Sequence, residues 1–208
     1  MTARLISCGL VNAIVLSMAG ASVAAPPSKS TFRNENTNFF FSEAVPITCA
    51  GGGEGTLETT GFVSAFTSVA RGDSGIPSSS QAFAFVGTFN TCTSEATSVS
   101  GVVANPDFTQ QRTSSSELDV SFPLVDATGA PAGVLDVDVA LTGFGAENRT
   151  ASRSVFHTGD TLIKFQFKGA FRSATVTGSV SLNGVEYVDN VQSAELAMSR
   201  DGQMVVEH

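Results

Sequence analysis

Polar and apolar side chains alternate one by one along much of the chain after residue 80. This is the pattern of β-strands with one buried and one solvent-facing side. We predict that the apolar set of each strand faces the core. These sets are Phe83, Phe85, Gly87 and Phe89; Leu118, Val120, Phe122 and Leu124; Leu135, Val137, Val139 and Leu141; Ile163, Phe165 and Phe167; Val176, Gly178, Val180 and Leu182; and Ala194, Leu196 and Met198.

Turn-forming residues separate these runs. Asn183-Gly184 and Asp201-Gly202 suit two-residue hairpins, Gly159-Asp160 lies between two apolar stretches, and residues 126–133 suit a longer connection. No helical periodicity is present after Ala25. The sequence therefore predicts an all-β fold, a single-domain antiparallel β-sandwich or barrel of about ten strands, and leaves both architectures open.

Segment 1–24 has the pattern of a secretory signal peptide. Arg4 stands in a short polar start, an apolar run covers 10–16, and small residues continue to Ala25. We predict cleavage after Ala24, a flexible N-terminal arm over 25–38 and an all-β domain over 39–208. The cleaved protein would have no membrane span, and we expect it to be secreted or to lie at the cell surface or in the periplasm.

Two cysteines remain after the leader, which contains Cys8. In an exported chain, one remaining pair predicts a disulfide between Cys49 and Cys92. In the chain-entropy account, a loop of roughly 40 residues closed in this way stabilises the fold by about 4 kcal/mol.

Charge and aromatic composition exclude some partners. The chain has a formal net charge of -8, with 11 Lys and Arg residues against 19 Asp and Glu. Nucleic-acid binding needs clustered cations, so we predict no nucleic-acid partner. Phe occurs 16 times, Tyr once and Trp not at all, which disfavours a sugar-stacking platform of the usual Tyr or Trp kind.

Short motifs in the sequence give little support for catalysis. Residues 72–75, Gly-Asp-Ser-Gly, resemble the nucleophile loop of trypsin-like serine proteases, but no His precedes Ser74. Residues 71–73, Arg-Gly-Asp, resemble the integrin-binding tripeptide and are expected in a solvated turn. Ser154 and His157 are three positions apart and would point to opposite faces of a strand. We therefore predict no catalytic residues; an enzyme, the least favoured alternative, would use Asp119, Asp136, Asp138 or His157.

Metal and cofactor sites have little support in the sequence. Asp136 and Asp138 would share one strand face, but no calcium loop surrounds them. We expect these carboxylates to pair across the sheet with Lys164 and Lys168. The prediction is that the chain has no metal and no cofactor.

One family resemblance concerns residues 39–129. The spacing of Cys49 and Cys92, the Phe-rich strand running from Phe83 into Cys92, and the segment Pro-Leu-Val-Asp-Ala-Thr-Gly over 123–129 resemble chaperone-usher pilin subunits. The resemblance implies an incomplete immunoglobulin-like sandwich that polymerises when the N-terminal strand of one subunit fills a groove in the next.

Three functions follow from these patterns. The leading hypothesis is a noncatalytic secreted or cell-envelope β-domain whose loops or polar strand faces bind a macromolecule. The first alternative is a β-barrel that carries a small apolar ligand in a Phe-lined interior. The second is a self-assembling, pilin-like surface subunit, a homo-oligomer that associates through 34–45, which contains Phe39, Phe40 and Phe41.

Overall fold

The chain folds into antiparallel β-strands. The computed structural model describes residues 28–72, 78–159, 161–187 and 191–207, and no helix occurs among them. No stretch of these residues forms a helix able to cross a membrane. The predicted signal peptide lies outside the described residues. The strands are β1 Ser28–Thr48, β2 Glu54–Gly72, β3 Ser79–Asn90, β4 Glu95–Ala104, β5 Asp107–Gln111, β6 Ser115–Asp126, β7 Pro131–Gly143, β8 Asn148–Thr158, β9 Thr161–Leu182, β10 Val185–Glu186 and β11 Val191–Glu207.

These strands form one sheet that closes on itself. Pairing runs from β1 through β2, β3, β4, β6, β7, β9 and β11 and returns to β1. The junction between β4 and β6 is short, with Val99 opposite Asp126 and Ser100 opposite Val125. Strands β5, β8 and β10 pair with β6 or β9 outside this ring. Of the two architectures that the sequence leaves open, the pairings correspond to the closed one.

The core is the inside of the ring. The alternation predicted for β6 and β7 is confirmed, because Leu118, Phe122, Leu135 and Leu141 are all at most 1% exposed. Side chains from β1, β2, β3, β9 and β11 join them in one cluster. The largest fully buried members are Phe39, Phe41, Phe122, Leu118, Leu124, Leu135, Leu141, Leu196, Val63, Val86, Val137 and Val180.

Strand β3 has the opposite orientation to the one predicted. Phe83, Phe85 and Phe89 share a face, but that face is outside the ring, where they are 36 to 40% exposed. Ala82 and Ala84 point inward and are fully buried. Both sets of alternate positions on β3 are apolar, so the period alone does not say which set faces the core. The rings of Phe39 and Phe41 on β1 and of Phe122 on β6 fill the interior, and β3 contributes small side chains to it.

The prediction for the first half of β9 is also wrong. Phe165 and Phe167 are 40 and 37% exposed, and Ile163 is half-buried. This part of β9 pairs with β8 and β11 and extends beyond the ring, whereas the part from Ala174 onward pairs with β7. An apolar side chain beyond the ring has no second layer of structure to cover it.

A glycine inside β2 makes room for a core ring. Gly61 pairs with Phe41 on β1, and the Phe41 ring lies over it. A Cβ atom at Gly61 would be 1.9 Å from Cζ of Phe41, which no side chain can tolerate without displacing the ring. On its other side Phe41 packs against Tyr187, with ring centroids 5.5 Å apart. The glycine in this strand is therefore a packing requirement.

Of two predicted hairpin turns, one is present in the structure and the other is not. Asn183 and Gly184 have φ of 51° and 83° and connect β9 to β10, as a two-residue hairpin requires. Asp201 and Gly202, in contrast, lie inside β11, and their pairing with both β1 and β9 is uninterrupted. The pairing on both edges outweighs the local turn preference. Gly159 follows β8, and Asp160 lies outside the described residues.

The N-terminal arm expected over 25–38 is strand from Ser28 on. Residues 28–38 form the first half of β1 and pair with β2 on one edge and β11 on the other. The segment is polar because it extends past the core, and its backbone hydrogen bonds hold it in place. Phe39 and Phe41 follow it inside the ring, so 34–45 is a central strand segment rather than a free polymerisation arm.

The predicted disulfide is confirmed. Cys49 follows β1 and Cys92 follows β3, with Cα atoms 5.3 Å apart. The sulfur atoms lie over Gly55 at the beginning of β2, where a Cβ atom would approach the Cys92 sulfur to 2.3 Å. The bond therefore connects the end of β1 to the end of β3 across the beginning of β2.

The connection between β6 and β7 is organised by one carboxylate. Asp126 accepts hydrogen bonds from the Oγ1 and backbone N–H of Thr128 and from the N–H of Ala130. These bonds, the Thr128 hydroxyl first, lower the pKa of Asp126 from its ordinary value of 3.8. The stabilisation is present above that value and is lost as the pH falls through the lower pKa of the folded state.

We expect Asp126→Asn to reduce the loss of thermal stability that the protein shows at acid pH. Thermal unfolding followed from pH 6 to pH 2 should show a smaller loss of Tm below pH 4 for the variant than for the wild type. Glu58→Gln, which removes an exposed carboxylate from β2, is the control and should keep the wild-type slope. A variant profile parallel to the wild type throughout would contradict the assignment.

Candidate interaction surface

Five strand segments continue past the ring and form an open sheet. We call this region the extension: β8 together with residues 28–36, 66–72, 161–173 and 196–207. Its strand order is β8, β9, β11, β1, β2, and the register is continuous throughout. Side chains alternate between its two faces, one of which continues the inside of the ring and the other its outside.

The face that continues the inside of the ring is basic. The alternation that points Thr37, Ala65 and Leu196 into the core places nearly all cations of the chain on this same face. Of 11 Lys and Arg residues, nine belong to it. We name this set the basic face: Lys29, Arg33, Arg71, Arg149, Arg153, Lys164, Lys168, Arg172 and Arg200.

Two carboxylates accompany these cations. Glu35 accepts a bond from Arg33 at 2.5 Å, and Glu147 accepts one from Nε of Arg149 at 2.6 Å. A hydrogen bond from the Thr113 hydroxyl, followed by the bond from Arg149, lowers the pKa of Glu147, so it remains charged. These are the ion pairs within the described residues, and the remaining cations of the face take part in neither.

The opposite face of the extension is rich in phenylalanine and contains Asp201, which lies opposite Phe167 and accepts a hydrogen bond from Asn34. Phe156 and Phe165 meet edge to face with ring centroids 5.7 Å apart, and Phe167 and Phe171 continue the row along β9. Each of the four is 37 to 54% exposed. The same outer surface continues onto the ring, where Phe40 packs on Phe62 at 4.7 Å. Phenylalanines and cations are thus separated onto opposite faces of one sheet.

Carboxylates cluster on the outside of the ring, away from the extension. Asp107, Asp119 and Asp138 lie directly opposite one another on β5, β6 and β7, and all three are exposed. Glu117 and Asp136 lie two positions away on the same face. Among the described residues, no group of three or more His, Cys, Asp or Glu side chains has the arrangement of a metal site.

The predicted pairing of Asp136 and Asp138 with lysines is wrong. Asp138 lies between Asp119 and Ser179, and Asp136 accepts a hydrogen bond from Ser121. Lys164 and Lys168 are in the first half of β9, opposite β8 and β11. The lysines lie in the first half of β9, whereas the aspartates of β7 pair with its second half, and the sequence pattern alone does not reveal this separation.

Of the candidate catalytic residues, Asp119, Asp136 and Asp138 lie together on one face of β6 and β7, and His157 is distant from them. His157 lies opposite Leu162 at one end of β9, whereas Asp138 lies opposite Ser179 near the other. Ser154 and His157 are on opposite faces of β8, as predicted from their spacing. Arg71 and Gly72 end β2, while Asp73, Ser74 and Asp160 lie outside the described residues.

Sequence reasoning missed the basic face. Its members come from five segments distant in the chain, and the net charge of -8 hides them. A local signal does exist, because Lys164 and Lys168 are four apart and Arg149 and Arg153 are four apart, which puts each pair on one face of a strand. Only the strand order shows that these faces coincide.

Comparisons with known proteins do not identify the chain. It matches no protein family and no curated protein. One solved structure, from Nitrosomonas europaea and provisionally described as an AttH protein, aligns with 86% of this chain at 8% identity and a TM-score of 0.25. The alignment covers 52% of that protein, so this chain spans about half its length. A likeness this weak carries no functional information.

Proposed function

We propose that this protein is a noncatalytic β-domain that binds an anionic macromolecular partner through the basic face, outside the cell or in the periplasm. The observation that supports this proposal is the concentration of nine of its 11 cations on one open sheet face. Like charges on neighbouring strands repel, so such a face is costly unless it meets negative charge.

The disulfide and the signal-like segment 1–24 support export. Disulfides persist in oxidising compartments, and Cys49 and Cys92 are bonded. The closed interior supports the binding role over the carriage of a small apolar ligand. The side chains that point into the ring belong to one packed cluster, and the phenylalanines of β3 that would have lined a chamber lie outside it.

The test is retention on immobilised dextran sulfate, a generic polyanion, over a salt gradient. Lys168→Glu should bind about 3- to 10-fold more weakly than the wild type at 0.1 M salt, because each exposed contact contributes roughly 0.2–1 kcal/mol and the reversal adds repulsion. The double variant Val102→Glu/Ala127→Glu makes the same change in net charge at exposed positions of the ring, away from the basic face, and should behave as the wild type.

Two results would overturn the proposal. The first is equal retention of the two variants, which would mean that net charge and not the face determines binding. The second is no retention of the wild type at 0.05 M salt. Circular dichroism and thermal unfolding of both variants establish that a change in retention is not a loss of fold.

A further inference from the structure

The basic face contains one row of cations in direct register. Arg33 on β1 lies opposite Arg200 on β11, and Arg200 lies opposite Lys168 on β9. All three side chains are exposed. Neighbouring strands are about 4.8 Å apart, so this cationic row is about 10 Å long. Arg33 bonds to Glu35 on its own strand, and the other two members take part in no ion pair among the described residues.

The carboxylates on the outside of the ring, which we call the acidic cluster, contain a row of the same length. Asp107, Asp119 and Asp138 occupy matching positions on the three adjacent strands β5, β6 and β7. This acidic row is therefore also about 10 Å long, with one charge per strand. Within the described part of the chain, none of its carboxylates is in an ion pair. Like charges directly opposite each other destabilise a sheet, and both rows have this arrangement.

We propose that the anionic partner of the basic face is a second copy of this chain, docked through its acidic row. The inference rests on the proposed function and names the partner of that site. Three cations on three adjacent strands face three carboxylates on three adjacent strands at the same spacing. Association places opposite charges against both rows, including Arg200 and Lys168, which are in no ion pair among the described residues.

The distribution of charge in the whole molecule favours this orientation. Cations are concentrated in the extension, whereas Arg112 is the one Lys or Arg of the described residues outside the basic face. The ring carries most of the carboxylates, among them Glu43, Glu54, Glu58 and Glu95 besides the acidic cluster. Two such molecules attract when the extension of one approaches the ring of the next. They repel when extension meets extension or ring meets ring.

The contact joins different surfaces of the two copies. A heterologous contact leaves an unused basic face at one end of a pair and an unused acidic row at the other. Each unused row can bind a further copy, so the wild type should form a concentration-dependent series of oligomers. Because the attraction is between exposed charges, it should be weaker at high ionic strength.

Sedimentation velocity of the wild type at 0.05 and 0.5 M NaCl tests the association itself. We expect oligomers at the lower salt and monomer at the higher, where the screening length is about 4 Å. Lys168→Glu and Asp138→Lys should each weaken association about tenfold. Val102→Glu/Ala127→Glu and Glu54→Lys, with the same net-charge changes at exposed positions away from both rows, are the matched controls and should associate like the wild type.

Mixing the two row variants is the decisive measurement. The Asp138→Lys protein keeps an intact cationic row, and the Lys168→Glu protein keeps an intact acidic row, so an equimolar mixture contains one native contact. We expect the mixture to associate more strongly than either variant alone, because each variant alone offers only contacts in which one row is altered. Association of the mixture no stronger than that of either variant alone would overturn the inference.

The outcomes separate this inference from the proposed function. A wild type that is monomeric at 0.05 M NaCl but still binds dextran sulfate through Lys168 overturns self-association and leaves the binding role in place. A wild type that neither associates nor binds dextran sulfate overturns both. Oligomers that persist unchanged in Lys168→Glu and Asp138→Lys overturn the charge-row contact.

Discussion

Phe39→Ala is expected to lower the free energy of unfolding by about 3–5 kcal/mol, the cost of emptying a buried phenylalanine site. Phe39 is 0% exposed and lies inside the ring between Val63 on β2 and Ala194 on β11. The core relaxes only partly around such a truncation, so a cavity would remain. Urea denaturation followed by circular dichroism measures the loss.

Phe40→Ala is the matched control, one residue away on the same strand. Phe40 is 49% exposed and contacts Phe62 on the outside of the ring. Its removal should cost only about 1 kcal/mol, the contribution of an exposed aromatic pair. Equal losses for the two variants would mean that the inward and outward faces of β1 are assigned wrongly.

Removing the disulfide is the second large effect. The double variant Cys49→Ala/Cys92→Ala should lose about 4 kcal/mol, because the bond closes a loop between residues 43 positions apart and restricts the unfolded chain. The midpoint of guanidinium denaturation should fall accordingly. Wild-type protein unfolded and refolded in dithiothreitol should match the variant. A variant that keeps the wild-type midpoint would show that the bond adds nothing to stability.

Much of the fold could be predicted from the sequence where polar and apolar residues alternate strictly. Strands β6 and β7 have charged or polar residues at nearly every second position, so their buried sets are predicted correctly, and so is the cysteine pair. Strand β3 has apolar residues on both faces, and there the prediction wrongly places the larger residues inside. Burial depends on what the neighbouring strands already supply, and a single strand does not contain that information.

The candidate surface could not be predicted for a related reason. Its charges are distributed along the chain from Lys29 to Arg200 and meet only through the order of the strands. The acidic row likewise combines three strands whose registers are set by backbone pairing. The polar residues over 28–38 predict only a flexible arm, because no core-facing position is visible there.

The pairing of β1 with β11 has a consequence for how the chain reaches its folded state. The strand that begins at Ser28 completes its second edge only with residues 191–207, so these hydrogen bonds join the first and last strands of the described residues. Contacts of such long range carry a high loop-closure cost and make folding slow. Until the last strand is available, the edges of β1 and β9 are exposed and able to pair with other chains. The time that the polypeptide spends in this unclosed state is therefore the period in which it is most vulnerable to aggregation and proteolysis.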